Sequence, residues 1–206
     1  MLRNTLTNKI LLFLTILLLF SCHEEKEFPI LGEMVMKDGK EVPHYIPDFS
    51  FMNQDSAIIT NKDLSDGFYV ADFFFTHCPS ICPVVTKEML RIHDAFKNDN
   101  LKLVSYTMDP KRDTPDVLKN YASKLEVKAP KWHFLTGEKK ALHDISTDYF
   151  NVVIEDGDAP GGFNHTGKLI LVDKNRHIRA FAEGTDPEDV DDFIDDIKIL
   201  LAENEN

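Results

Sequence analysis

The run Val70-Ala71-Asp72-Phe73-Phe74-Phe75-Thr76-His77-Cys78-Pro79-Ser80-Ile81-Cys82-Pro83 constrains the fold more than any other stretch of the chain. A near-continuous apolar run that ends in a turn and passes into an amphipathic pattern describes a buried strand delivering a loop to the end of a sheet, where α/β proteins keep their sites. That loop carries two thiols, Cys78 and Cys82. If its second half is helical, residues four apart share a face and their Cβ atoms lie roughly 5–6 Å apart. Sulfurs that close can form a disulfide or grip one soft metal ion.

The rest of the chain supplies a sheet around this strand. Residues 31–46 predict a small irregular hairpin at the domain edge. Residues 47–51 and 57–60 predict two short strands with a turn at Asn53-Gln54-Asp55, and residues 68–75 the central strand. Val84, Val85, Met89, Ile92, His93 and Phe96 then recur at helical spacing. A strand over 101–106 follows, then the charged turn Asp109-Pro110-Lys111-Arg112-Asp113-Thr114-Pro115, in which Thr114 is an N-cap and Pro115 the first helical residue. Residues 132–136 are a third main strand. Residues 138–149 form a helix with Ala141, Leu142, Ile145 and Tyr149 inward. Residues 169–172 and 177–182 form an antiparallel hairpin after the Gly-rich loop 156–162. A last helix, 187–201, buries Val190, Phe193, Ile194, Ile197 and Leu201. Strands alternating with crossover helices and closed by a hairpin and helix make a mixed α/β sheet. The order looks like a thioredoxin fold with an inserted strand–helix unit and an N-terminal hairpin.

The first 21 residues stand apart from this domain. Arg3 and Lys9 precede an apolar core, residues 10–20, too short to span a bilayer comfortably, and Leu19-Phe20-Ser21-Cys22 resembles the cleavage site of a bacterial lipoprotein signal. Cys22 is then the acylated mature N-terminus, anchored by several chains. The alternative is an uncleaved anchor in which Cys22 is incidental. Residues 22–30 form a tether, with His23-Glu24-Glu25-Lys26-Glu27 a solvated run rather than a metal site. Two of the 23 basic residues leave with the signal, so 21 face 35 acidic ones in the mature chain. That balance excludes nucleic acid and anionic lipid surfaces as partners, which need a basic footprint. Residues 31–206 suffice for one domain with one core.

Two thiols at a helix start carry chemistry rather than stability. The unpaired amides of the first turn favour the thiolate, and a bridge across so short a loop removes little unfolded-chain entropy. Three residues separate the cysteines where a thioredoxin-type oxidoreductase has two, and the surroundings of a peroxidatic cysteine are missing. Thiolates suit Cu(I), and a third ligand could complete a sulfur–sulfur–nitrogen site. Among the eight histidines, His23 lies in the tether and His44 in the edge hairpin. His93 and His143 lie on helices, His133 and His177 in or beside strands, and all four read as packing or surface residues. His77 adjoins Cys78, but adjacent side chains diverge in extended backbone. His165 follows a Gly-rich loop, just before a strand of the hairpin, in the loop that a thioredoxin-like layout puts opposite the site helix. Without the cysteines it would read as a surface-loop histidine.

Three motifs in this order, residues 75–83, then Met108-Asp109-Pro110-Lys111-Arg112-Asp113-Thr114, then His165-Thr166, resemble the Sco/SenC family of copper-binding cytochrome c oxidase assembly factors over roughly residues 47–201. The resemblance implies that Cys78, Cys82 and His165 are ligands of Cu(I) and Cu(II), and that the Asp-Pro-x-Arg-Asp-Thr turn lies close to the site. Many members carry Asp before the ligand histidine; this chain has Asn164. The implied function is a chaperone, anchored by lipid on the extracytoplasmic (periplasmic) side, that delivers copper to the dinuclear site of cytochrome c oxidase subunit II. Two alternatives use the same thiols: a thiol–disulfide reductase turning over Cys78 and Cys82 to keep that site's cysteines reduced, and a redox or copper sensor.

Overall fold

The computed structural model describes residues 28–151, 154–158, 160–164 and 166–204. The signal, Cys22 and His165 lie outside the described residues. An edge hairpin, β1 (Val35–Lys37) and β2 (Lys40–Val42), precedes β3 (Ser50–Asn53), β4 (Ile58–Thr60) and the central β5 (Phe68–Phe74). Then come α1 (Cys82–Ala95), β6 (Leu101–Thr107), α2 (Pro115–Lys124), β7 (Trp132–Thr136) and α3 (Lys139–Asp148). The chain continues through the short pair β8 (Ile154–Glu155) and β9 (Phe163–Asn164) to β10 (Lys168–Val172), β11 (Ile178–Glu183) and α4 (Pro187–Asn204). Among the described residues, no helix is long and apolar enough to cross a membrane.

The main sheet has the order β11-β10-β5-β6-β7-β3-β4. β5, β6 and β7 are parallel and the other pairs antiparallel. Every residue of β5 is buried, because neighbouring side chains point to opposite faces and both faces are covered. Phe74 meets Tyr121 of α2 and Phe134 of β7, each at 5.5 Å between ring centroids. Phe73 instead stacks on Tyr106 at 5.2 Å and meets Tyr149, just past α3, at 5.6 Å. α1 shares the Phe74 face with α2 through a 3.0 Å hydrogen bond between the Thr86 and Tyr121 hydroxyls, and reaches α4 through Arg91, which pairs with Glu88 and Asp191.

Register decides which loops meet. Phe74 is opposite Thr107, so the loops leaving parallel β5 and β6 emerge side by side. β10 is antiparallel to β5, with Ile170 opposite Ala71 and Val172 opposite Tyr69, so its entry rather than its exit reaches that same edge.

The helices and main-sheet strands follow the order read from the sequence, but β3 runs from Ser50 to Asn53, into the expected turn, and the short β8–β9 pair flanking the Gly-rich loop is not part of that reading. The other differences are ones of phase. Val84 is 42% exposed, and the buried stripe of α1 starts one turn-position earlier, at Cys82, continuing through Val85, Thr86, Met89 and Ile92. Ala141 is exposed, with Leu142, Ile145 and Ser146 inward. α4 buries Leu200 where Leu201 was expected, and leaves Ile194 half-buried. Thr114 does precede Pro115 at the start of α2, but its side chain makes no capping bond.

Candidate metal centre

The dithiol loop is held by hydrogen bonds that begin at its backbone. The Cys78 amide donates to the Phe75 carbonyl at 3.2 Å and closes a turn; Val84 and Val85 donate to the Ile81 carbonyl at 2.9 and 3.0 Å and start α1. No side-chain oxygen caps this helix. Its first amide, that of Cys82, donates instead to the Cys78 sulfur at 3.4 Å, and the Ser80 hydroxyl lies 3.6 Å from the same sulfur. Both cysteines are buried and not joined in a disulfide. Their environments push them apart. Burial by itself would raise Cys78, but hydrogen bonds from the Cys82 thiol, the Ser80 and Cys82 amides and the Ser80 hydroxyl outweigh it and hold the thiol below its usual value. Burial and the hydrogen bond to Cys78 hold Cys82 far above it. The hydrogen bonds thus favour ionisation at Cys78, and burial opposes it at Cys82.

The turn after β6 clamps this loop. Asp113 is fully buried and accepts from the Thr76 hydroxyl at 2.5 Å, the Thr76 amide at 3.2 Å and the Thr107 hydroxyl at 2.5 Å. Because the Thr76 proton is committed to Asp113, the His77 ring must donate from Nδ1 to Thr76 Oγ1, at 2.9 Å, and the exposed imidazole is tied to threonine rather than to sulfur. Arg112 pairs with Asp109 and donates to the Gly161 carbonyl at 3.2 Å. Gly161 has φ +82°, and a Cβ there would meet the Phe75 ring at 2.6 Å and Pro79 at 3.3 Å, so only glycine lets this loop lie on the dithiol loop. Phe163 follows with its ring 5.2 Å from Phe75, and Thr166 bonds Asn151 at 2.9 Å. Phe163 thus lies against the cysteine loop, while Thr166 is held on Asn151.

Of the other histidines, His44 donates to the Asp148 carbonyl at 2.7 Å. Buried His133 lies 3.3 Å from the Asn53 amide, His93 contacts Asp94 at 3.1 Å, and His143 approaches the Met108 carbonyl at 3.4 Å. His177 faces Asp173 at 3.8 Å. None of these five bonds to a cysteine sulfur; each is a packing or surface residue, as expected.

A group missed in the sequence reading lies beneath the thiols. Asp72, 2% exposed, points to the α1 face beside Phe74 and accepts from the Ser105 hydroxyl at 2.5 Å, which in turn accepts from the Trp132 indole at 2.9 Å. Burial raises its carboxyl from 3.8 to about 7, against a smaller lowering by Ser105, and its charge is one of the influences that raise Cys82. A lone carboxylate inside an apolar strand was the available signal. With the folded value above the unfolded one, the folded state binds the extra proton between pH 4 and 7. Stability should therefore fall by up to about 4 kcal/mol as pH rises through that window and level off above it. Urea melts of wild type and Asp72→Asn from pH 4 to 8 check this: the difference between them should slope over that window, and parallel profiles would mean that Asp72 is ionised in the folded protein.

A groove of about 320 Å3 between α1 and α2 opens on both cysteines. Among its lining residues the donors are two sulfurs and three hydroxyls, with Lys87 the single charged side chain. That set suits a soft ion and offers no carboxylate to a hard cation such as Mg2+ or Ca2+.

A parallel strand delivering a dithiol to a helix start, in a sheet closed by an antiparallel hairpin and a helix, defines a thioredoxin-like protein with its thiols at the thioredoxin-type site. The profile of the SCO1/SenC family matches residues 37–202, and the chain belongs to that family. It is similar to the crystal structure of a SCO1/SenC family lipoprotein from Bacillus anthracis, at 29% identity and a TM-score of 0.70 over 77% of this chain and 96% of that one. It is similar also to BsSco, described as a member of the Sco family of cytochrome c oxidase assembly proteins, at 28% identity and a TM-score of 0.65 over 75% and 92%. ScoI of Bradyrhizobium japonicum, solved with copper bound, matches at 25% identity and a TM-score of 0.60 over 73% and 98%.

Proposed function

We propose that this protein is a copper-carrying assembly factor in which Cys78, Cys82 and His165 hold the ion and pass it to the dinuclear copper site of cytochrome c oxidase subunit II. The observation that carries the reading is the convergence of two unbridged sulfurs at the start of α1, one of them accepting a hydrogen bond from the Cys82 amide and lying beside the Ser80 hydroxyl. The copper-bound relative and the assembly role given for BsSco support the cargo and the pathway. The contacts of Gly161 and Phe163 with the dithiol loop support His165 as third ligand. Bound copper would be held by soft sulfur and handed on by exchange, with Cys78 the more readily ionised of the two thiols. Titration of reduced protein with Cu(I), beside cysteine and histidine variants, tests this: wild type should bind one ion per chain, and none after its thiols are oxidised.

A second reading, thiol–disulfide reductase, is favoured by the same asymmetry, since a thiol held below its usual pKa beside one held above it suits the attacking and resolving roles in disulfide exchange. It makes no use of His165.

The lipid anchor on Cys22 and the extracytoplasmic address are part of the proposal, supported by the lipoprotein relative. Mass spectrometry of membrane-extracted protein should find acylated Cys22 as the N-terminus, with the acyl group absent from Cys22→Ala. An unacylated protein beginning at Met1 would overturn it.

A further inference from the structure

The groove beside the dithiol has more organisation than access to two sulfurs requires. On α1, Cys82, Thr86 and Leu90 follow at intervals of four and form one ridge; Tyr121 of α2 and Leu125, at its C-cap, form the facing ridge. The Thr86–Tyr121 hydrogen bond of 3.0 Å joins the two across the seam. Leu90, Tyr121 and Leu125 are half-buried rather than sealed. Eight residues of α1 rise about 12 Å, the length of about four residues of extended chain at roughly 3.3 Å each. Charge is the second observation. The chain carries 35 acidic against 23 basic residues, yet the one charged side chain lining this groove is Lys87.

We propose that this seam is the docking track for the partner that exchanges ligands with the dithiol: an extended segment of about four residues with a sulfur side chain over Cys78 and Cys82, an apolar side chain between Leu90 and Leu125, and a carboxylate reaching Lys87. The sulfurs are nearly covered, Cys78 9% and Cys82 4% exposed, so a partner must bring its ligand along a defined approach, and the groove supplies one that is apolar along its floor. An acidic segment is repelled by most of this protein's surface and not here, so Lys87 acts chiefly in selecting orientation and partner. The proposal rests on the dithiol being the exchange centre.

The probe is a blocked peptide with methionine at the sulfur position, which cannot enter disulfide exchange, followed by leucine and glutamate; a second peptide carries lysine for glutamate. Added to reduced, metal-free protein, the first should shift the backbone amide NMR signals of Cys82, Lys87, Leu90, Tyr121 and Leu125. It should bind about three- to tenfold more tightly than the lysine peptide, the range expected of one exposed pair. Lys87→Glu, at an exposed position, should reverse that preference while binding Cu(I) as wild type does. Shifts confined to another surface, none at about 5 mM peptide, or a preference indifferent to Lys87→Glu would each overturn the docking track. If wild type takes up no copper while the peptide shifts map to the seam, the copper reading fails and the track stands.

Discussion

Cys78→Ser and Cys82→Ser should each abolish binding of both Cu(I) and Cu(II), whereas His165→Ala should keep Cu(I) and lose the sulfur-to-Cu(II) charge-transfer absorption. Two thiolates suffice for Cu(I), which accepts low coordination and soft donors; Cu(II) asks for more ligands and for nitrogen. Residues that only orient a ligand cost roughly 10–100-fold in affinity, so loss of a sulfur should exceed that. His77→Ala should fall below it, because its exposed ring is tied to Thr76 Oγ1. Chelator competition for Cu(I) and visible absorption for Cu(II) measure the four variants. If His77→Ala behaved like the cysteine variants and His165→Ala like wild type, the ligand set would be wrong, and the dithiol reductase would become the better reading of the fold.

Asp113→Ala should be strongly damaging, lowering stability by about 3–5 kcal/mol, since it removes a buried carboxylate shared by three donors, one of them fully buried. Those donors are the Thr76 amide, the Thr76 hydroxyl and the Thr107 hydroxyl, so the loss falls on the junction of the dithiol loop with β6. Asp113→Asn keeps one acceptor oxygen and should lose roughly half as much. Urea melts give the stability, and the alkylation rate of Cys78 reports whether the loop has been released. An Asp113→Ala protein within about 0.5 kcal/mol of wild type would show that the carboxylate does not clamp the loop.

The central strand and the dithiol were legible because both are local. An apolar run must be buried, and a four-residue spacing keeps Cys78 and Cys82 close in the chain. What brings them together is a turn rather than a shared helix face, since α1 begins only at Cys82 and its amide donates to the Cys78 sulfur. The clamp was legible only in part. Asp109, Arg112 and Asp113 stood out as a motif, but their partners are Thr76 and Gly161, 37 and 49 residues away along the chain, and only strand register brings them into reach. Asp72 was hidden by its own neighbours, since a single polar residue does not disturb the pattern of an apolar strand and its partner Ser105 lies on another. The phase of α1 was misjudged for a related reason: counted from Val84, the stripe leaves out Cys82, whose thiol is the first inward side chain. Thr114 has the right residue type for a cap and sits at the right place, yet the buried polar bonding of that turn centres on Asp113.

The bond from the Cys82 amide to the Cys78 sulfur makes the order of a helix turn and the state of a thiol two readings of one equilibrium. Whatever turns that sulfur into a poorer acceptor, a proton or a bound ion, loosens the first turn of α1 by about the worth of one hydrogen bond, ~1 kcal/mol. Linkage is reciprocal: a substitution at residues 79–81 that stiffens the turn must favour the thiolate by the same amount, and one that frays it must disfavour the thiolate. The three residues between the cysteines therefore act as a tuning element, able to reset the reactivity of Cys78 without touching sulfur or metal.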